Sequence, residues 1–144
     1  MGQTIIKILN QQKSEDVKFY KDKLIFFSRL DGKTLYFLMY MIQELVDYNK
    51  NYIELTNSFR TSCEKKLNFK LGGNSVPLHL MKLAKNGFIK KVGNSRCLYN
   101  PHLFYYADDE VAKTMQENFI CDFDYENLKI TISKVIHDDK VYLG

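Results

Sequence analysis

Several features are scarce or missing in this chain of 144 residues, and each absence excludes a class of protein. With only two prolines and seven glycines, the chain is neither low in complexity nor dominated by linkers. Its three cysteines, Cys63, Cys97 and Cys121, form no Cys-x-x-Cys pair, which argues against a disulfide framework and against a zinc finger. A reducing, cytoplasmic setting is the simplest fit to this cysteine usage.

Signals for secretion and membrane insertion are missing as well. The amino terminus lacks the charged start and long apolar stretch of a secretory signal, and Ile6 stands where a myristoylation motif requires Ser or Thr. The longest apolar run, residues 35–42, is too short to span a bilayer. We therefore expect a soluble protein with no membrane association.

Motifs for catalysis and metal binding are also lacking. The three histidines are far apart in sequence and form no His-x-His or Glu-x-x-His pair. Without such a metal clamp we expect no tyrosine to act as a DNA-nicking nucleophile. Gly72-Gly73 is a lone pair rather than a phosphate-binding motif. The sequence thus predicts a protein that is not an enzyme, with no catalytic residue, metal site or cofactor.

Apolar residues are plentiful enough for one folded domain over residues 1–144, because 45% of the chain is hydrophobic and 14% aromatic. The clearest helix runs from Lys33 to Asp47, after a turn at Asp31-Gly32. Its helical spacing predicts a core face made of Leu35, Leu38, Met39, Ile42, Leu45 and Val46.

Residues 74–101 predict a capped helix followed by a hairpin. Asn74 or Ser75 caps the helix, and Gly87 ends it. Val76, Leu80, Leu83 and Ala84 line its predicted buried face, which leaves His79, Lys82 and Lys85 outward. The predicted strands are 88–92 and 96–100, joined at Gly93-Asn94-Ser95, whose residues tolerate positive φ.

The flanking segments complete the predicted order. A short strand at 52–55 precedes a helix that Thr56 or Asn57 caps. Residues 4–9 and 17–30 predict strand or extended structure. Asp108 or Asp109 caps a helix that reaches Phe119, and segments 128–133 and 140–143 predict a terminal hairpin. The predicted fold is α+β: a winged helix-turn-helix core at about 24–106, with an additional N-terminal strand and a C-terminal helix and hairpin at about 107–144.

Charge is distributed unevenly along the chain. Residues 60–100 hold nine basic residues and one acidic residue, a net +8 in a chain whose total is +4. Residues 108–139 hold nine acidic residues and three lysines, a net −6. A basic segment within a chain that is elsewhere acidic is typical of a protein that binds nucleic acid. The alternative is a charged face that only contacts solvent.

The candidate DNA-binding residues divide into phosphate contacts and base contacts. Phosphate contact needs only positive charge on one surface, whereas base readout needs hydrogen-bonding groups at the helix start or in the hairpin. The predicted phosphate contacts are Lys82, Lys85, Lys90, Lys91, Arg96, Arg60, Lys65 and Lys66. The predicted base or groove contacts are Asn74, Ser75, His79 and Asn94, together with Arg96 in a minor groove. We expect Leu78 and Met81 to be core or dimer contacts.

Two segments resemble a known family. In the first, Lys82-Leu83 is followed by Gly87-Phe88-Ile89, and in the second Asn100-Pro101 is followed by Leu103-Phe104. Together with the run 35–45, these resemble the RepL family of small plasmid replication initiators from low-GC Gram-positive bacteria, over roughly residues 24–110. The resemblance implies a winged-helix protein that binds DNA. The chain departs from the family in a longer segment between Phe59 and Val76.

These observations predict a sequence-specific, double-stranded DNA-binding protein that acts in plasmid or phage replication initiation or its control, without catalysis. We expect a homodimer, because palindromic sites suit such small readers, and we expect it to recruit host replication proteins. A transcriptional repressor is the alternative within DNA binding. A protein-interaction adaptor that uses the same fold is the alternative of another class, and it draws support from Leu78 and Met81.

Overall fold

A computed structural model of the protein describes residues 16–67 and 76–144, without the side chains of Lys66 and Leu67. The strand predicted at 4–9 and the connection at 68–75 lie outside the described residues. In chain order the elements are β1 (Lys18–Phe19), a 3-10 helix (Lys21–Arg29), α1 (Gly32–Leu45), β2 (Tyr52–Glu54), α2 (Asn57–Ser62) with a π-helical turn (Cys63–Leu67), α3 (Val76–Lys85), β3 (Ile89–Lys91), β4 (Arg96–Tyr99), β5 (Phe104–Tyr105), α4 (Asp109–Glu117), β6 (Phe119–Asp124), β7 (Lys129–His137) and β8 (Lys140–Leu143).

The strands form three small antiparallel sheets, which confirms the predicted α+β class. One pairs β1 with β5, the second has the order β2-β4-β3, and the third has the order β6-β7-β8. In the second sheet, β4 lies in the centre and pairs with β2 through Ile53 and Cys97 and with β3 through Ile89 and Tyr99. Helix α3 leads directly into this sheet at its β3 edge.

Side-chain caps begin the first two α-helices, and the second of them confirms the predicted cap at Thr56. Asp31 accepts a hydrogen bond from the Thr34 backbone N–H at 2.8 Å, and Thr56 accepts one from Phe59 at 3.1 Å. Asp108 occupies the N-cap position of α4, but its carboxylate makes no cap and accepts from the Tyr48 hydroxyl instead, at 2.6 Å.

The buried face of α1 agrees with the predicted one at Leu38 and Ile42, which are buried, but differs elsewhere. Phe37 and Met41 are fully buried, whereas Met39, which we expected in the core, is 39% exposed. The prediction is wrong at this position because the helix is apolar on nearly every side. Periodicity therefore does not select one face, and packing against α3 decides it.

Residues 17–30 are mostly helical, so the predicted extended structure is wrong there beyond β1. Phe26, Phe27 and Leu30 are buried at helical spacing and join the main hydrophobic core. Two adjacent buried phenylalanines cannot face one side of a strand, because side chains alternate between the faces of a strand.

The carboxyl-terminal segment forms a three-stranded sheet rather than the predicted hairpin alone. Its first strand, β6, begins at Phe119, where we expected the end of a helix. Phe119, Cys121 and Phe123 are more buried than the residues between them, which is the period-two pattern of a half-buried strand. Ile130 of β7 belongs to the main core, so this sheet packs on the same core as α1 and α3.

Gly87 ends α3 as predicted, with a φ of +80°. Its carbonyl accepts a hydrogen bond from the buried Asn100 side chain at 2.9 Å, which connects the end of the helix to the end of β4. The loop between β3 and β4 reverses the chain without positive φ at Gly93 or Asn94. The predicted hairpin is therefore confirmed, while the expected use of positive φ in its turn is wrong.

Candidate nucleic-acid interface

Helix α3 packs one face into the core and presents the other to solvent. Val76, Leu80 and Leu83 are buried, as predicted. The outward face carries Leu78 at 45% exposure and Met81 at 59% exposure, so neither is a core residue within this chain. The outward face of this helix therefore offers mainly apolar surface, with Lys85 as its exposed basic residue.

His79 does not lie on the outward face. Its side chain is 2% exposed, its Nδ1 lies 2.7 Å from the Thr34 hydroxyl, and its ring stacks on Phe37 with 5.6 Å between centroids. The prediction of His79 as a base contact is thus wrong for this structure. The position of α3 against α1 turns His79 inward, and periodicity within α3 alone does not show this.

Lys82 also faces α1. Its ammonium group lies 2.8 Å from a carboxylate oxygen of Asp31, which in turn accepts from Thr34. The hydrogen bond from Lys82, followed by the one from the Thr34 backbone, holds the pKa of Asp31 well below its usual value of 3.8. The ion pair between Lys82 and Asp31 therefore holds α3 against the start of α1, and it partly neutralises the charge of Lys82.

This ion pair makes stability depend on pH in acid. A carboxyl group whose pKa is lower in the folded state contributes stability above its unfolded pKa, and that contribution is lost as pH falls. We expect Asp31→Asn, which keeps a capping side chain but removes the charge, to lower the urea midpoint at neutral pH. The difference from wild type should shrink below about pH 4. An unchanged difference down to about pH 2 would contradict a charge-based role.

Arg96, predicted to enter a minor groove, is held by other residues of this chain. It forms ion pairs with Glu54 of β2 and, at 3.3 Å, with Asp138 in the turn between β7 and β8. Its guanidinium also lies over the Tyr52 ring at 4.5 Å. The hydrogen bond with Glu54 is the main reason that the pKa of Arg96 is raised. DNA would have to compete with two carboxylates for this side chain.

The remaining predicted contacts occupy different environments. Lys85 and Lys91 are exposed and make no ion pair or side-chain hydrogen bond among the described residues. Lys90 donates to the Leu143 carbonyl at 2.8 Å. Arg60 is half-buried on α2, whereas Lys65 and Asn94 are exposed. The Lys66 side chain and the residues Asn74 and Ser75 lie outside the described residues.

Four lysines line one open groove of about 360 Å³. Lys85 at the end of α3 and Lys90 and Lys91 of β3 border one side, and Lys129 of β7 borders the other. Ile89, Ile130 and Ile132 are among the apolar residues that line it, and no acidic residue does. Lys129 is not among the predicted contacts, because it lies in the acidic carboxyl-terminal segment.

The described part of the chain offers little for metal binding or nucleophilic chemistry. Across residues 16–67 and 76–144, no group of three or more His, Cys, Asp or Glu residues is placed to hold a metal ion. Burial raises the pKa of Cys63 to about 11 and that of Cys97 to about 12, so both thiols stay protonated near neutral pH. None of the helices in these ranges has the length and apolarity needed to cross a membrane.

The predicted basic contacts that stay exposed around the four-lysine groove lie at the end of α3 and on the β3–β4 hairpin. Two of the predicted cations, Lys82 and Arg96, are engaged within the chain. Two others, Lys85 and Lys91, are exposed beside the groove. Comparisons of the chain with protein-family models, with curated proteins and with solved structures return no match.

Proposed function

We propose that this protein binds double-stranded DNA with a winged helix, in which α3 is the recognition helix and the β3–β4 hairpin is the wing. The connectivity supports this fold: α1, β2, α2, α3 and the hairpin follow one another in the order of a winged helix-turn-helix domain, and their sheet has the order β2-β4-β3. Because one fold serves many functions, connectivity alone does not carry the proposal.

The observation that carries the proposal is the gathering of lysines where the recognition helix meets the wing. Lys85 and Lys91 lie beside one groove and have no acidic partner among the described residues. Exposed ammonium groups bind phosphate oxygens and release counterions from DNA. No Asp or Glu side chain of the described residues lines this groove, so the local charge favours a polyanion.

The biological role that we propose is initiation of plasmid or phage replication, or control of it, by binding DNA without cutting it. This step rests on the resemblance of Lys82–Ile89 and Asn100–Phe104 to the RepL family. A transcriptional repressor would use the same surface. Loss of plasmid maintenance on deletion of the gene would favour initiation, whereas a change only in transcript level would favour repression.

A protein-interaction adaptor is the second candidate function, because apolar side chains are exposed on both α3 and α1. Leu78 and Met81 are open on α3, and a groove of about 410 Å³ on α1 is lined by Leu35, Tyr36, Met39 and Tyr40. Such a surface also suits the second copy of a homodimer. The adaptor predicts that Leu78→Ala/Met81→Ala abolishes partner binding while lysine variants keep it.

Removal of two lysines tests DNA binding directly. At about 0.15 M salt, each phosphate contact contributes roughly a fivefold factor in affinity through counterion release. We expect Lys85→Ala/Lys91→Ala to weaken binding by about 25-fold and to reduce the slope of log K against log salt by about 2. Fluorescence anisotropy with duplexes tiled across the protein's own gene and its flanks measures both quantities.

Lys21→Ala/Lys113→Ala is the matched control, because it removes the same charge from exposed lysines that do not line the groove. We expect this control to bind like wild type. Equal binding by wild type and Lys85→Ala/Lys91→Ala would argue against the proposed interface. Absence of binding to every duplex at low salt would reject DNA binding and favour the adaptor.

A further inference from the structure

We propose that the carboxyl-terminal sheet is part of the DNA interface, and that the sugar-phosphate backbone of the duplex lies in the four-lysine groove between α3, β3 and β7. This inference rests on the proposed DNA binding, and it adds a second wall to the proposed DNA interface. The wall is supplied by β7, and Lys129 is the lysine of this strand that lines the groove.

The geometry that builds this groove depends on a close approach of two elements. Gly87, at the end of α3, packs against β7 so closely that a Cβ on it would lie 2.6 Å from the Ile130 side chain. This contact brings Lys129, the neighbour of Ile130, beside Lys85 and Lys90 although they are far apart in sequence. The groove thus exists because the carboxyl-terminal sheet packs on the end of the recognition helix.

The charges of the groove are poorly compensated. Lys129 pairs across the sheet with Asp124, but the Asp124 carboxylate accepts hydrogen bonds from the Asn127 side chain at 2.8 Å and from its backbone N–H at 3.0 Å. The side-chain hydrogen bond from Asn127 is the main cause of the lowered pKa of Asp124, and the nearby charge of Lys129 contributes less. Among the described residues Lys129 forms no ion pair or side-chain hydrogen bond with Asp124, so its three donors stay available to another anion.

Lys90 is positioned rather than neutralised. Its ammonium group donates to the Leu143 carbonyl, and a lysine ammonium has three protons to donate. A neutral carbonyl leaves the full positive charge at the groove. Two donors of Lys90 remain for a phosphate, and the contact with Leu143 reduces the freedom that binding would otherwise remove.

The floor of the groove distinguishes a nucleic-acid backbone from an isolated anion. Ile89, Ile130 and Ile132 form an apolar floor below a basic rim. A backbone offers phosphates alternately with less polar sugars, so it matches both the rim and the floor. A free phosphate ion is stabilised by many hydrogen-bond donors around it, and an apolar floor does not supply them.

Lys129→Ala tests the inference in the full chain, with Lys113→Ala as the control of equal charge. We expect Lys129→Ala to weaken duplex binding about fivefold at about 0.15 M salt and to lower the salt slope by about 1. Lys113→Ala should bind like wild type. In acetylation footprinting read by mass spectrometry, duplex should protect Lys129 and leave Lys113 reactive.

The outcomes separate this inference from the function on which it rests. If Lys85→Ala/Lys91→Ala loses binding but Lys129→Ala does not, the carboxyl-terminal wall is wrong and DNA binding stands. If no variant or wild type binds duplex, both fall. Equal losses in Lys129→Ala and Lys113→Ala would reveal a general charge effect and overturn the groove. Inorganic phosphate that displaces duplex more strongly than KCl of equal ionic strength would assign the groove to a free anion and overturn it as well.

Discussion

Substitution of Gly87 by alanine is expected to lower the free energy of unfolding by about 3 kcal/mol, from two separate causes. The backbone at Gly87 has a φ of +80°, which an L-residue with a side chain adopts only at a cost of about 1–2 kcal/mol. The new Cβ would also lie 2.6 Å from Cβ and Cγ2 of Ile130. These atoms are close to the β7 backbone, so relief of the clash requires a shift of the strand.

Two further variants make this prediction sharp. Gly93→Ala is the control, because nothing lies within 4 Å of its added Cβ and its φ is not positive. We expect its free energy of unfolding, measured in urea, to stay within about 0.5 kcal/mol of wild type. Gly87→Asn separates the two causes, since asparagine tolerates positive φ but carries a Cβ. A stability close to wild type for Gly87→Asn would show that the clash with Ile130 does not occur.

The same substitution links fold to function. Gly87 is where α3 meets the carboxyl-terminal sheet, so a shift of β7 would move Lys129 away from Lys85. A Gly87→Ala protein that remains folded should therefore bind duplex less tightly than wild type at equal salt. The loss of binding is expected for the same physical reason as the loss of stability.

Local chemistry explains which elements could be predicted from the sequence. The helix start after Asp31, the cap at Thr56 and the stop at Gly87 depend only on residues within one turn of each helix, so the sequence predicts them. The hairpin β3–β4 is also local. By contrast, β6 is not predicted, because the helical pattern that begins at Asp108 runs on to Phe119 and leaves only a short polar–apolar alternation after it.

The candidate site was predictable only where no distant partner intervenes. Lys85 and Lys91 were identified by charge alone and are exposed. Arg96 carries the same positive charge in the sequence, yet it pairs with Asp138, which lies 42 residues further along the chain. Lys129 shows the opposite case. Its neighbours in the sequence are acidic, so a count of charge does not single it out, yet the fold places it among lysines. The net charge of a sequence segment sums residues that the fold places far apart. It therefore does not show which charges share one surface.

Replacement of His79 by alanine is expected to cost about 3 kcal/mol of stability and to leave the preference among DNA duplexes unchanged. The alanine would remove a buried ring that stacks on Phe37, together with its hydrogen bond to Thr34. Because Thr34 also bonds to Asp31, the link between α3 and the start of α1 would be weakened as a unit.

Leu78→Ala provides the comparison for this prediction on the neighbouring residue. Its side chain is 45% exposed, so its removal should change stability by less than about 1 kcal/mol. Urea unfolding gives the stabilities, and anisotropy with the tiled duplexes gives the relative affinities. If His79→Ala were as stable as wild type but ranked the duplexes differently, His79 would have to leave its buried position to read bases, and the arrangement of α3 against α1 described above would not be the one that binds DNA.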